Sequence, residues 1–181
     1  RNALLADMTE DVAAIVLEDN RLQTLALSIA ERGGDRALPQ YVRAIELLEE
    51  SGRLNRVVEG LQSNEDLLRR ALEHRGLTRP ELAVLLSTTK MLLQGQIERS
   101  ALADDPTMEP ELLAAFPIRM QEQHEEALAR HRLRREIIAT KVANRLVNRL
   151  GILAPFALVE QEGAAYGQAA AAFVAAERLF G

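Results

Sequence analysis

Apolar residues recur along this chain at the spacing of an α-helix, and no segment shows the sustained alternation that a half-buried strand requires. The clearest case is the row Leu82, Leu85, Leu86, Leu93 and Ile97, which falls on one helical face. Glycines and prolines divide the periodic segments into about eight to ten helices. The sequence therefore predicts an all-α fold, a multi-helix domain.

Several helix ends can be located from local signals. Thr78-Arg79-Pro80-Glu81 has the pattern of a capping box, and Ser63 is a predicted N-cap. The cluster 18–20 is a candidate break in the first helix, and residues 33–39 are the strongest linker candidate. Leu54 to Leu61 is read as a short turn. The helix after Thr78 is expected to end at Asp104-Asp105-Pro106. A long helix is predicted from about residue 118 to 150, with a candidate bend near His131.

Composition excludes several functional classes. The 181 residues include no cysteine, which excludes disulfides, thiol catalysis and cysteine metal ligands. A net charge of −5 and 3% aromatic residues disfavour a nucleic-acid binder. No apolar run reaches the length of a membrane span, so no membrane insertion is expected. Because the chain opens with Arg1 and has no leader pattern, we expect a piece of a longer cytoplasmic protein.

Motifs for catalysis or cofactor binding do not withstand a test of spacing. His124 and Glu125 suggest a helical zinc site, but the second histidine would have to occupy position 128, which is leucine. His131 lies seven residues after His124 and has no third ligand nearby. Gly33-Gly34-Asp35-Arg36 lacks the lysine of a phosphate loop. We therefore predict no catalytic, cofactor-binding or metal-binding residues in this chain.

The stretch 119–149 is basic within an acidic protein, with eight lysines or arginines against four acidic residues. One interpretation is an anion-binding or partner-binding stripe; the other, which we favour, is a solvated face with intramolecular ion pairs. Leu133 and Ile137 point toward the basic side, which indicates more than one packing neighbour. The buried arc is predicted to comprise Val142, Ala143, Leu146, Val147 and Leu150. The candidate contact residues are Arg132, Arg134, Arg135, Lys141 and Arg145.

Three blocks of the chain resemble the large bacterial NAD-specific glutamate dehydrogenases. Asp104-Asp105-Pro106 and Phe116-Pro117 lie between the blocks in the order expected for that family. Two departures are that Arg145 stands where the family more often has an acidic residue, and that residues 152–156 differ from the usual pattern. The blocks are residues 1–20, 76–86 and 131–148.

The resemblance implies a parent enzyme that converts L-glutamate, NAD and water to 2-oxoglutarate, ammonia and NADH. Residues 1–35 would be the trailing edge of its catalytic domain, and residues 36–181 its helical C-terminal domain. The catalytic Lys and Asp and the glycine-rich nucleotide turn would lie upstream, so NAD would bind the parent and not this segment.

The implied role is domain packing, oligomer contacts or regulation. The expected partners are the remainder of the polypeptide and further copies of the parent, which would be a homo-oligomer, with no nucleic acid and no membrane. The alternative is a stand-alone effector-binding or interaction module that uses the basic 130–149 helix. A helical nucleic-acid regulator is a third and weaker reading.

Overall fold

The computed structural model describes the backbone of residues 2–180 and the side chains of residues 8–180. The described part contains ten α-helices, three short 3-10 helices and no strand, which confirms the all-α prediction. The 3-10 helices span Gly34–Ala37, Ala101–Asp104 and Pro106–Met108. The α-helices are α1 (Asn2–Arg32), α2 (Leu38–Glu50), α3 (Arg56–Glu59), α4 (Asn64–Leu72), α5 (Arg79–Glu98), α6 (Glu109–Leu113), α7 (Ile118–Ala129), α8 (Arg134–Leu150), α9 (Ala154–Glu162) and α10 (Tyr166–Phe180).

Helices α5 and α8 form the centre of the fold and make the most extensive helix pair, with α1 and α10 packed against both. The predicted stripe on α5 is buried at every position. Opposite it, α8 buries Ile138, Val142 and Leu146 completely. Because apolar side chains repeat on matching faces of the two helices, burial of this seam stabilises the centre of the fold.

The predicted helix starts are confirmed. The carboxylate of Glu81 accepts hydrogen bonds from the backbone nitrogen of Thr78 at 2.7 Å and from its hydroxyl at 2.8 Å, so the first turn of α5 is capped. The Ser63 hydroxyl accepts from the backbone nitrogen of Asp66 at 3.2 Å at the start of α4. Both caps satisfy groups at helix N-termini that have no intrahelical partner.

The candidate break at residues 18–20 does not occur, because α1 is continuous. This segment contains no glycine or proline, and Glu18 and Arg21 form an ion pair of 2.7 Å one turn apart that supports the helix. The linker candidate 33–39 is a tight connection, in which a 3-10 turn leads directly into α2. The predicted turn 54–61 contains the short helix α3, which Asn55 caps.

The single long helix predicted over 118–150 is instead two helices, separated at residues 130–133. The backbone nitrogen of Leu133 donates to Nδ1 of His131 at 3.1 Å, and the His131 ring contacts the Phe116 ring at 5.4 Å between centroids. At Leu133 the side chain of His131 takes the place of a helical acceptor, and the ring contact comes from Phe116, which precedes α7. The end predicted for α5 is also wrong, since the Ser100 hydroxyl bonds to the Ile97 carbonyl and α5 ends at Glu98.

Leu150 was expected in the buried arc of α8, yet it is 48% exposed, whereas the other four residues of the arc are buried. Gly151 ends the helix with a positive φ of 90°, and α9 leaves at 93° to α8. The sharp turn therefore leaves Leu150 at the edge of the core.

Candidate functional site

Arg135 holds the end of α5. Its guanidinium donates to the backbone carbonyl of Glu98, at 3.1 Å from Nε, and to that of Ser100 at 3.4 Å, and it pairs with Asp104. Carbonyls in the last turn of a helix have no partner within the helix. Arg135 therefore caps α5 from the neighbouring helix α8.

Arg145 joins three helices. Its Nε donates to Glu177 of α10 at 2.7 Å, and its Nη1 donates to Glu111 of α6 at 2.6 Å. Arg149 also pairs with Glu177 at 2.7 Å. Burial opposes the charge of Arg145, but the two carboxylates outweigh it and hold the pKa of Arg145 above its ordinary value. Arg145, at a position where the family more often has an acidic residue, is therefore the centre of an ion-pair network.

The remaining candidate residues of the basic stripe make fewer and longer hydrogen bonds than Arg135 and Arg145. Arg134 donates to the Asp105 carbonyl at 3.4 Å, and Lys141 donates to the Ala114 carbonyl at 3.4 Å. Arg132 is exposed and has no partner among the described side chains. Leu133 is half exposed, while Ile137 packs against the core. Four of the five candidate residues therefore contact carbonyls or carboxylates of this chain.

We expect Arg135→Ala to lower the free energy of unfolding by about 1–2 kcal/mol, because it leaves carbonyls at the end of α5 without a donor. Arg132→Ala is the matched control and is expected to change it by less than about 0.5 kcal/mol. Urea titration of the purified chain measures both. Equal effects of the two variants would contradict the capping role.

The histidines considered for zinc lie apart in the fold. His124 is within α7 at a local kink, and His131 lies in the connection to α8. Across the residues with described side chains, no group of three His, Cys, Asp or Glu residues is arranged to hold a metal ion.

The sequence pattern did not indicate that a lysine lies in the core. Lys90 of α5 is only 9% exposed, and its Nζ has no hydrogen-bond partner in the described part of the chain. Burial lowers the pKa of Lys90, and the negative charge of Asp19 on α1 opposes that shift only in part. Lys90 lies four residues after Leu86 and three before Leu93, both on the apolar stripe. This helical spacing was the signal that could have indicated its burial.

We expect Lys90→Met to raise the free energy of unfolding by about 1–2 kcal/mol at neutral pH, because it removes an unpaired buried charge. A folded-state pKa below the ordinary value of 10.5 means that the unfolded chain binds the proton more tightly. The wild-type protein should therefore gain stability relative to the variant as the pH rises toward 10.5. Lys141→Met, at a more exposed lysine, should show neither effect. Urea titrations at several pH values would measure the free energies of unfolding. A difference between the wild-type protein and Lys90→Met that does not change with pH would contradict the prediction.

An apolar surface lies where α1, α8, α9 and α10 meet. A groove of about 220 Å³ is lined by Ile29 and Leu150, and a second groove of about 650 Å³ is lined by Leu150, Leu158 and Phe173. Leu150 lines both grooves, so the grooves adjoin at this residue and together make up a surface. We call it the Leu150 surface, consisting of Ile29, Leu150, Leu158, Ala172 and Phe173.

These features define an all-α helical domain with internal ion-pair networks and exposed apolar grooves, and its similarity to known proteins places it in a family. Residues 74–181 match the family model described as "Glutamate dehydrogenase, C-terminal", which covers more than half of the chain. The chain therefore belongs to the glutamate dehydrogenase C-terminal family, as the resemblance in its sequence indicated.

Relatives match the chain over nearly its whole length. An NAD-specific glutamate dehydrogenase of Halomonas elongata and one of Pseudomonas aeruginosa are each 41% identical over 180 residues, 99% of this chain. One of Mycobacterium tuberculosis is 33% identical over 181 residues. The chain spans 11% of the length of each relative. The match thus concerns a small C-terminal part of these enzymes.

Among the described residues, no single helix is long and apolar enough to cross a membrane. Within the same described part of the chain, α8 and α9 taken together have the length and composition of a membrane span, but they are bent by 93°. The apolar face of α8 is buried in the core.

Proposed function

We propose that this chain is the helical, non-catalytic C-terminal portion of an NAD-dependent glutamate dehydrogenase. The parent would oxidise L-glutamate with NAD and water to 2-oxoglutarate, ammonia and NADH, and its NAD would bind outside this segment. The observation that carries the proposal is the match of 99% of this chain to 11% of enzymes named NAD-specific glutamate dehydrogenase.

The physical role that we propose for the segment is packing against the rest of the parent polypeptide. Support comes from α1, on which large apolar side chains are left in water. Transfer of apolar surface from water to a protein interface is favourable by roughly 25 cal/mol per Å². A larger polypeptide that covers α1 would therefore gain stability from residues that this chain leaves exposed, namely Val12, Ile15, Val16, Leu17, Leu25 and Ile29.

We further propose that the parent is a homo-oligomer that acts in the cytoplasm in amino-acid catabolism. The NAD specificity of the relatives supports the catabolic role, since NAD-specific enzymes commonly oxidise their substrates. The sequence also suggested a second role, an effector site on the basic helix. Fewer of its charged side chains are free to bind a ligand, because groups of this chain are already in contact with Arg134, Arg135, Lys141 and Arg145.

The test is an activity assay on native material. An antibody raised against residues 8–180 would capture the protein from extract of the cells that produce it, and the captured protein would be given glutamate and NAD. We expect NAD reduction that depends on glutamate and is absent with aspartate in its place. The proposal would be contradicted if the captured protein reduced no NAD in the presence of glutamate while a soluble dehydrogenase activity remained in the extract.

A further inference from the structure

We infer that the Leu150 surface is the docking site for the part of the dehydrogenase polypeptide that precedes α1, which would lie in its grooves through the apolar face of a helix. The inference rests on the proposed function and specifies where the segment and the rest of the enzyme meet.

Two large apolar side chains of the Leu150 surface are in contact with water. Leu150 is 48% exposed and Ile29 is 56% exposed. Residues of this kind are more often buried than exposed. A continuous apolar surface formed by several helices is typical of an interface and not of a free surface.

The larger groove has a shape that suits a helix. Along α10 the larger groove is lined by Ala169, Ala172 and Ala176, which follow one another at helical spacing. The larger side chains of Leu150 and Leu158 line the same groove. Small side chains between larger ones leave a trough, and such a trough accepts the ridge of side chains on another helix.

The occupant belongs to the same polypeptide as this segment. This chain corresponds to 11% of each relative, so most of the polypeptide lies outside it and connects to it through α1. The same helix α1 contributes Ile29 to the surface. Because the occupant is joined to this chain through α1, its binding to the surface is intramolecular, whereas a free partner must bind from solution.

The experiment uses the full-length dehydrogenase. In one variant a photo-cross-linking aromatic residue replaces Leu150, and in the control it replaces Val57 of α3, which is 91% exposed and lines neither groove. Subunits labelled with heavy and light isotopes are mixed before irradiation. We expect the Leu150 position to cross-link to residues upstream of α1 in a polypeptide of the same isotope. A cross-link to residues 8–180 of another subunit, or to none, would overturn the inference.

A second measurement does not depend on the cross-linker. Leu150→Glu places an unpaired carboxylate in the proposed interface, and we expect limited proteolysis to release this segment about tenfold faster than from the wild-type enzyme. Val57→Glu is expected to leave the rate unchanged. Equal rates for the two variants would overturn the inference.

The two proposals fail in different ways. If the full-length wild-type protein reduces NAD with glutamate but neither measurement singles out Leu150, only the docking site is wrong. If that protein shows no glutamate-dependent NAD reduction, the proposed function is wrong whatever the cross-links show.

Discussion

Gly76→Ala is expected to lower the free energy of unfolding by about 3 kcal/mol or more. A Cβ atom at Gly76 would lie 2.6 Å from the carbonyl carbon and oxygen of Gly34. These are backbone atoms of the turn that links α1 to α2, so they cannot rotate away as a side chain can. The close approach of two backbone segments requires glycine at this position. Urea denaturation should show a lower midpoint with an unchanged slope.

Gly95→Ala is the matched control for this prediction. Gly95 lies within α5, and an added Cβ would meet the end of the Arg53 side chain at 2.9 Å. That side chain is flexible and can move, while alanine favours the helix over glycine by about 1 kcal/mol. We therefore expect Gly95→Ala to leave stability unchanged or to raise it. A loss for Gly95→Ala as large as that for Gly76→Ala would contradict the steric account.

Glu81→Ala is expected to lower the free energy of unfolding by about 3 kcal/mol at neutral pH. The Glu81 carboxylate accepts from Arg70 at 2.7 Å, and the side chains of Arg70 and Glu81 are only 14% and 10% exposed. Removing one partner of a buried pair leaves the other charge without compensation, and here the N-terminal cap of α5 is lost as well. Glu126→Ala is the control, because Glu126 is 91% exposed and lies 3.8 Å from Arg130; we expect a change below about 0.5 kcal/mol.

The contribution of Glu81 to the free energy of unfolding should depend on pH. Burial opposes its ionisation, but the hydrogen bonds from Arg70 and Thr78 outweigh burial and hold the pKa of Glu81 below the ordinary value of 4.5. Its stabilising contribution is therefore fully present above about pH 4.5 and is lost as the pH falls through the folded-state pKa. Urea titrations of the wild-type protein and Glu81→Ala at neutral and acid pH would measure this. A difference between the two that does not shrink in acid would contradict the assignment.

The helices could be predicted because their signals are local. The apolar stripe on α5 and the capping residues Thr78 and Ser63 act within a few residues of chain, so periodicity and capping rules locate them. The break between α7 and α8 could not be fixed in this way, since it depends on contacts of His131, one of them with Phe116.

The roles of charged and edge residues depended on tertiary structure. Arg145 reads as part of a solvent face, but it bridges Glu111 and Glu177 because α6 and α10 pack on either side of it. Lys90 lies within a helix whose burial comes from α1 and the rest of the core. Leu150 belongs to an apolar arc by spacing alone, and the turn at Gly151 leaves it exposed. The sequence around each of these residues does not predict where the neighbouring helices lie in the fold.

The most direct test of the central claim is the mass of the native polypeptide that carries these residues. Extract from the producing cells would be separated under denaturing conditions and blotted with an antibody against residues 8–180. Because the chain corresponds to 11% of its relatives, we expect one band many times larger than 20.1 kDa. A single band near 20.1 kDa would contradict the claim that this chain is the C-terminal portion of a large dehydrogenase.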